Sequence, residues 1–322
     1  MGRVGSWPRG GLVAVVPALL ALALAALDRA WHPPPVAPAP VIIAIMRAAG
    51  DVPVPNSQPP AEAPPTEPFA ELLEPGPHGM LPVVHAGRRA VEAYRRAAAD
   101  RGDRPAVAVL VVDLGLRAEL AQRSIELPGE IALAWAARAD ALPAWQAYAR
   151  SHGHETPLML PVEAAPGVPV DAGPGALAPG RAENPEQLAW ALGRGQGYPI
   201  VVVEAGAFAA TPEAFLPIAR ELARRGLGLL ELGGRHLDAI AREAGLPYAA
   251  ALRRLDVDPD PVAVDAALGQ LEASALRDGL AIGWIEPSLG VFDRVWRWRQ
   301  GLDPRGLALI PPSQALRGLE DR

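Results

Sequence analysis

The chain has 322 residues, half of them apolar, enough for one large or two small domains with a real core. Its 30 basic and 36 acidic side chains leave a net charge of −6, so a polyanion such as nucleic acid gains nothing from the long-range field. No cysteine is present, which excludes disulfides, thiolate metal sites and a cysteine nucleophile.

The first predicted element is a membrane-targeting segment at 1–32. Residues 10–27 are uncharged and rich in Leu, Ala and Val, with Arg3 and Arg9 ahead and Trp7 and Trp31 on either side. The run is intermediate in length between a signal-peptide core and a spanning helix, and Ala21-Leu22-Ala23 or Ala23-Leu24-Ala25 offers a cleavage site. An uncleaved single-pass anchor is favoured over a cleaved signal peptide. Basic residues ahead of the run predict export of the chain beyond it, which places the rest of a bacterial protein in the periplasm, against the inner membrane.

Residues 33–80 are crowded with proline and are expected to form a semi-extended spacer. A lead-in helix is expected over 87–100, within 81–103, from its helix-forming residues and spaced charges. Regular structure then begins at Arg104. Apolar strand patterns recur at 107–112, 131–135, 157–161, 200–203, 228–232, 281–285 and 307–310. Helical patterns lie between most of them, at 116–124, 141–152, 185–193, 212–225, 236–243, 261–277 and 289–300. This alternation predicts a parallel sheet, open or closed, and seven strands suit a slightly incomplete (β/α) barrel. Residues 317–322 are left as a tail.

Asp113 ends the first buried strand and is followed closely by Gly115, the place where parallel α/β folds present chemistry. Glu163, Glu204, Glu231 and Glu286 also fall at or just beyond predicted strand ends, so a barrel would bring all five carboxylates to one rim. Three readings stay open: oxygen ligands for a hard cation, an acid and base pair of the glycosidase kind, or separate solvated groups paired with arginines such as Arg181 and Arg235. Trp135 and Trp284 sit at strand ends near the same rim, as platforms for sugar rings or as plugs. Trp296 and Trp298, among the arginines of 294–300, are read as one ring on the core beside a solvated face. His152 and His154 at i,i+2 are read as loop residues in preference to metal ligands, and His236 starts a helix. No phosphate loop, dinucleotide fingerprint or serine elbow is present.

The order of motifs is more specific. VVDLGL at 111–116, ELPGEIALAW at 126–135, HGHETPLMLPVEA at 152–164, DAGPGAL at 171–177, ARELARRGLGLLE at 219–231 and AIGW at 281–284 resemble the divergent polysaccharide deacetylase family. That family is related to chitin and peptidoglycan deacetylases. The resemblance covers 104–316, and 81–97 is similar to the lead-in of bacterial members. It implies a deformed, seven-stranded (β/α) barrel with a pocket at the strand C-termini, where aspartates and histidines hold a divalent metal that activates water.

Residue by residue, the chain departs from that pattern. Val112 replaces the first of two consecutive aspartates, leaving Asp113. Met159 and Trp284 stand at histidine positions, and Glu204 at another; a later aspartate aligns with Glu231. Thioether is a weak zinc ligand and indole is none. The resemblance therefore makes Asp113, Glu204 and Glu231 the catalytic candidates, and Trp135, Glu163, Trp284 and Glu286 the substrate-binding ones. It assigns no metal ligand, although a divalent metal stays open. Two functions are implied: a degenerate, non-catalytic barrel binding an envelope polysaccharide or a periplasmic protein, or an active N- or O-deacetylase with an altered, carboxylate-rich metal site.

Overall fold

A computed structural model describes residues 62–97, 101–165 and 175–319. The expected membrane segment, most of the spacer, the end of the lead-in and residues 320–322 of the tail lie outside the described residues. Among the described residues no helix is long and apolar enough to cross a membrane.

The described part of the stretch expected to be spacer carries folded structure. After a 3-10 turn at Ala70–Leu72, β1 (Leu73–Gly76) and β2 (Gly79–Pro82) form an antiparallel hairpin. Leu72 and Leu81 are buried, giving this proline-containing segment an apolar face to dock with. Gly79, with φ 141°, sits where a Cβ would fall 2.2 Å from the carbonyl oxygen of Gly193, so only glycine allows the contact. The lead-in helix is cut short to α1 (Ala90–Ala93). Beyond Tyr94 the backbone finds tertiary acceptors: Arg96 N donates to the Glu155 carboxylate at 2.9 Å and Ala97 N to the Glu62 carbonyl at 3.0 Å. Those contacts override a good helix-forming composition.

Strands and helices then alternate as expected. In chain order they are β3 (Ala106–Leu114), α2 (Ala118–Ser124), β4 (Ala132–Ala136), α3 (Leu142–Ser151), β5 (Leu158–Met159), α4 (Asn184–Arg194), β6 (Ile200–Glu204) and α5 (Leu216–Arg224). Next come β7 (Gly228–Leu232), α6 (Asp238–Ala244), β8 (Tyr248–Ala251), β9 (Arg253–Arg254), α7 (Pro261–Asp278), β10 (Leu280–Ile285), α8 (Leu289–Gln300) and β11 (Ala308–Leu309). The main sheet is parallel, in the order β8-β7-β6-β5-β4-β3-β10-β9. β8 and β9 are halves of one segment broken at Leu252. The first half pairs with β7 and the second with β10, so the sheet nearly closes into a (β/α) barrel.

The strand set differs from expectation in one exchange. The closing segment YAAA contains no β-branched residue and reads as helix-forming, so its strand is not announced by pattern. Residues 307–310, expected as the seventh strand, supply only β11, which pairs with the foot of β3 below the point where β4 joins it.

Period-two alternation divides the side chains cleanly. Ala106, Ala108, Leu110 and Val112 of β3 fill the lumen with Val202 and Leu230, while Val107, Val109 and Val111 face the helices with Val201 and Leu229. Burial on both faces is why these strands read as unbroken apolar runs.

A buried carboxyl ties three distant parts of this fold together. Glu155 accepts from Arg96 N at 2.9 Å, from Ser313 N at 3.3 Å and from Ser313 Oγ. Burial pushes it up to about 7 from 4.5, against the opposing bonds from Ser313 and Arg96. The folded state holds this proton more tightly than the unfolded state. Its stabilisation is therefore complete below about pH 4.5 and is lost as pH rises through about 7, a change on the order of 3 kcal/mol. In Glu155→Gln, Oε1 still accepts from Arg96 N and Ser313 Oγ, but nothing titrates. Denaturant unfolding at about pH 5 and about pH 8 is expected to show a clear fall in stability for the parent and a much flatter profile for the variant. Equal profiles would remove Glu155 as the titrating group.

Candidate functional site at the barrel mouth

β3 delivers Asp113 to the mouth by an irregularity. Between the pairs Val111↔Leu133 and Leu114↔Trp135, β3 advances three residues while β4 advances two, so β3 carries one extra residue. Val112 faces the lumen and Leu114 the helix layer, which makes Asp113 the extra residue. Its φ is 52°, a left-handed conformation that aspartate tolerates better than most side chains. Strict alternation would have turned Asp113 into the helix layer; the bulge turns it to the mouth, where solvent reaches the side chain although protein surrounds much of it. A cleft of about 240 Å³ lies against it, walled by Gly115, Leu116, Arg117, Leu120 and Glu286.

Glu204, the last residue of β6, and Glu286, just past β10, face the same mouth. Asp113 is raised above the ordinary carboxylate range by burial and by the charge of Glu286, with Arg138 opposing. Glu204 is raised by burial first, then by the charge of Asp113 and of Glu286, with Arg254 opposing. The charge of Glu286 thus reaches both other carboxyls, and that of Asp113 reaches Glu204. Arg254 Nη1 holds the Glu286 carboxylate at 2.9 Å and its Nε holds Asp256 at 3.1 Å, while Asp256 accepts from the backbone N of Glu286 at 2.8 Å. Sequence reasoning missed Arg254, Asp256 and Arg138. The first two ride on β9 and the turn after it, the strand that pattern did not announce.

Trp284 is 6% exposed and belongs to the lumen cluster. Its indole reaches from β10 past the closing segment, with Cη2 3.8 Å from where a Cβ would stand on Gly233, just after β7. Met159 packs against the same lumen cluster at the end of β5. Val112, Met159 and Trp284, at positions that the resemblance places around a metal, therefore do converge on the lumen, but the atoms they bring are methyls, a thioether and an indole. Among the described residues no three His, Asp or Glu side chains gather closely enough to hold a metal ion. Asp113 and Glu204 alone do not fit a catalytic zinc.

The remaining sequence candidates are placed elsewhere. Glu231 is fully buried on the helix side of β7, where period two puts it. Its carboxylate accepts from His236 N and Leu237 N, both at 2.9 Å, and from Tyr248 Oη at 2.7 Å, so it braces the turn after β7 and is removed from the catalytic set. Trp135 has no exposure and stacks on Trp145 at 5.7 Å in the helix layer, with no surface to offer a sugar. Glu163 is nearly buried and paired with Arg181, which also donates to the Ala176 carbonyl at 2.8 Å. His154 is buried between the carbonyls of Ile131 and Ile125, and burial lowers its pKa; His152 Nδ1 lies 2.9 Å from the Tyr148 carbonyl. Trp298 packs on the core and donates to Glu272 at 2.6 Å, while Trp296 is 48% exposed among arginines, two of them held by Asp265 and Asp303.

Comparisons with known proteins agree with the motif order. The sequence profile described as divergent polysaccharide deacetylase matches residues 109–316. The crystal structure of an uncharacterised protein from Agrobacterium tumefaciens C58 is similar at 31% identity and a TM-score of 0.69, over 73% of this chain and 99% of that one. A structure from Enterococcus faecalis V583, described as a candidate cellobiose-phosphate cleavage protein, is far more distant, at 10% identity and a TM-score of 0.46 over 66% of this chain and 99% of that one. No curated protein matches. With well over half of its length under that profile, and its strands closing around the positions the motifs marked, the chain belongs to the divergent polysaccharide deacetylase family.

Proposed function

We propose that this protein is a glycan-binding member of its family, anchored at the inner membrane, whose barrel mouth holds an envelope polysaccharide in the periplasm without metal-dependent deacetylation. Trp284 is the observation that carries the reading. An indole fills the lumen where family resemblance implies a ligand histidine, and Val112 and Met159 supply no donor beside it. What the mouth retains suits sugar hydroxyls: carboxylates Asp113, Glu204 and Glu286, with Arg254 fixed in place by two acidic partners. The apolar Leu116, 42% exposed at the cleft, offers a surface for the face of a sugar ring.

The second reading keeps hydrolysis. Burial raises both Asp113 and Glu204, and the charge of Asp113 raises Glu204 further; two carboxyls whose proton affinities are pushed apart are the arrangement of a general acid and base. The two readings separate on one experiment. Full-length protein is incubated with peptidoglycan and with chitin oligomers, and cosedimentation, acetate release and new reducing ends are measured. The binding reading expects cosedimentation without products, weakened a few-fold in Asp113→Ala, which removes one of three carboxylate acceptors, and about tenfold in Arg254→Gln, which loses a charge-assisted contact. Acetate or reducing ends that vanish in Asp113→Ala would establish a hydrolase, and absence of cosedimentation with every polysaccharide would end the glycan reading.

A further inference from the structure

A separate cavity opens through the barrel wall. Among the described strands β8 forms a ladder with β7 and β9 with β10, and no ladder joins β8 to β10. The wall is therefore interrupted below Leu252, and the gap is a cavity of about 480 Å³. Pairing of Arg253 with Gly283 closes it on one side, and the bridge between Tyr248 and Arg317 closes it on the other. Apolar side chains of Leu271, Leu280 and Ile282 line part of it. The charged lining is four arginines, Arg235, Arg253, Arg277 and Arg317, against one carboxylate, Asp278.

The carboxylates in reach do not neutralise these guanidinium groups. Asp278 is held by its neighbour Arg277 at 2.9 Å. Arg317 reaches Asp238 at 3.4 Å, but Asp238 is shared with Arg242 at 3.5 Å. Arg253 meets an uncharged amide, Gln270 Oε1, at 2.5 Å. Arg235 forms no ion pair among the described residues. A surplus of positive charge thus surrounds a hollow in a chain whose net charge is −6. Gathering like charges is unfavourable even where water screens part of it, and an anion in the hollow relieves that repulsion.

We propose that this window is a binding site for an organic anion, a carboxylate or phosphate group carried on a compact body with one apolar face, as in an acidic sugar. Guanidinium forks match both anions through paired hydrogen bonds, and the apolar lining takes the uncharged face of the ligand. The site shares no residue with the mouth and does not rest on the function proposed for it.

The test uses full-length protein with glucuronate, glucose 6-phosphate, inorganic phosphate and glucose, followed by thermal shift and titration calorimetry. One or both acidic sugars are expected to bind and to raise the melting temperature, more than inorganic phosphate does, and glucose is expected to do neither. Binding of glucuronate alone assigns a carboxylate site, and of glucose 6-phosphate alone a phosphate site. Arg253→Gln with Arg277→Gln is expected to weaken binding by tenfold or more, at about 1.4 kcal/mol per tenfold. Arg220→Gln, the same charge change as Arg277→Gln alone but on an exposed residue outside the cavity, is expected to leave it unaltered. Arg277→Gln alone, at a solvent-exposed side chain, serves if the double variant does not fold. Absence of binding by every anion, or equal binding by parent and cavity variants, would overturn the assignment.

Discussion

Arg150→Ala is expected to lower the free energy of unfolding by about 3–5 kcal/mol, and the melting temperature by roughly 10 °C for a domain of this size. The guanidinium is 1% exposed and serves two distant stretches of chain at once. Nε donates to the carbonyls of Pro65 and Thr66 at 2.9 and 3.1 Å, and Nη2 to Thr66 at 2.7 Å. Nη1 donates to the carbonyls of Gln196 and Gly197 at 2.9 and 3.3 Å. Burial lowers its pKa to about 10, still far enough above neutrality to keep the charge. Alanine would leave four carbonyls, that of Gly197 buried and the other three half-buried, without their donor and release the segment ahead of β1 from the end of α3. Lysine is not expected to rescue, because an ammonium cannot reach both stretches in the plane that the fork spans. The opposite side of the contact gives a second handle. Gly197, with φ 68°, comes so close that a Cβ would stand 2.9 Å from Arg150 Cζ, so Gly197→Ala should reproduce much of the loss. Urea unfolding of the three variants checks this, and a stable Arg150→Lys protein would defeat the argument from geometry.

The parts of this fold that were legible in the sequence are those where one local rule decides. Strands β3, β6, β7 and β10 are buried on both faces, so their apolar runs stand out, and the helices between them carry their own periodicity. The hairpin β1–β2 was hidden because proline density predicts extended chain, while its docking depends on two leucines and on Gly79 meeting a helix end far along the sequence. The closing segment was hidden because alanines become a strand only through their neighbours. The same blindness shaped the site. Asp113 was visible at a strand tip, yet the bulge that exposes it is a register event between two strands. Glu231 occupies a strand end as Glu204 does, but one residue of period-two offset turns it from the mouth to the helix layer. Arg254 could not be placed beside Glu286 without β9.

Trp284→Ala is expected to cost about 3–5 kcal/mol, the range for removing a large buried aromatic side chain, because the lumen around it is lined by strands that cannot collapse inward. It should also widen the mouth, so that more water surrounds Asp113 and Glu204, which solvent already reaches. Burial is the largest cause that raises Asp113 and Glu204, so both carboxyls should return toward their ordinary range, which a carboxyl-resolved NMR titration would read. Trp284→His carries the argument further. It restores the residue type that the family pattern has at this position, while Val112 and Met159 still contribute no donor. If the loss of metal chemistry is spread over the whole lumen, this variant is destabilised and zinc does not raise its melting temperature. Stabilisation by zinc is expected instead if Asp113, Glu204 and one histidine suffice, since a ligand that binds only the folded state must stabilise it. That result would place the protein one substitution from a metal site and return the hydrolytic reading to first place. Destabilisation without a zinc response would mean that the indole has become part of the barrel's core, and that the mouth now works with carboxylates and arginines alone.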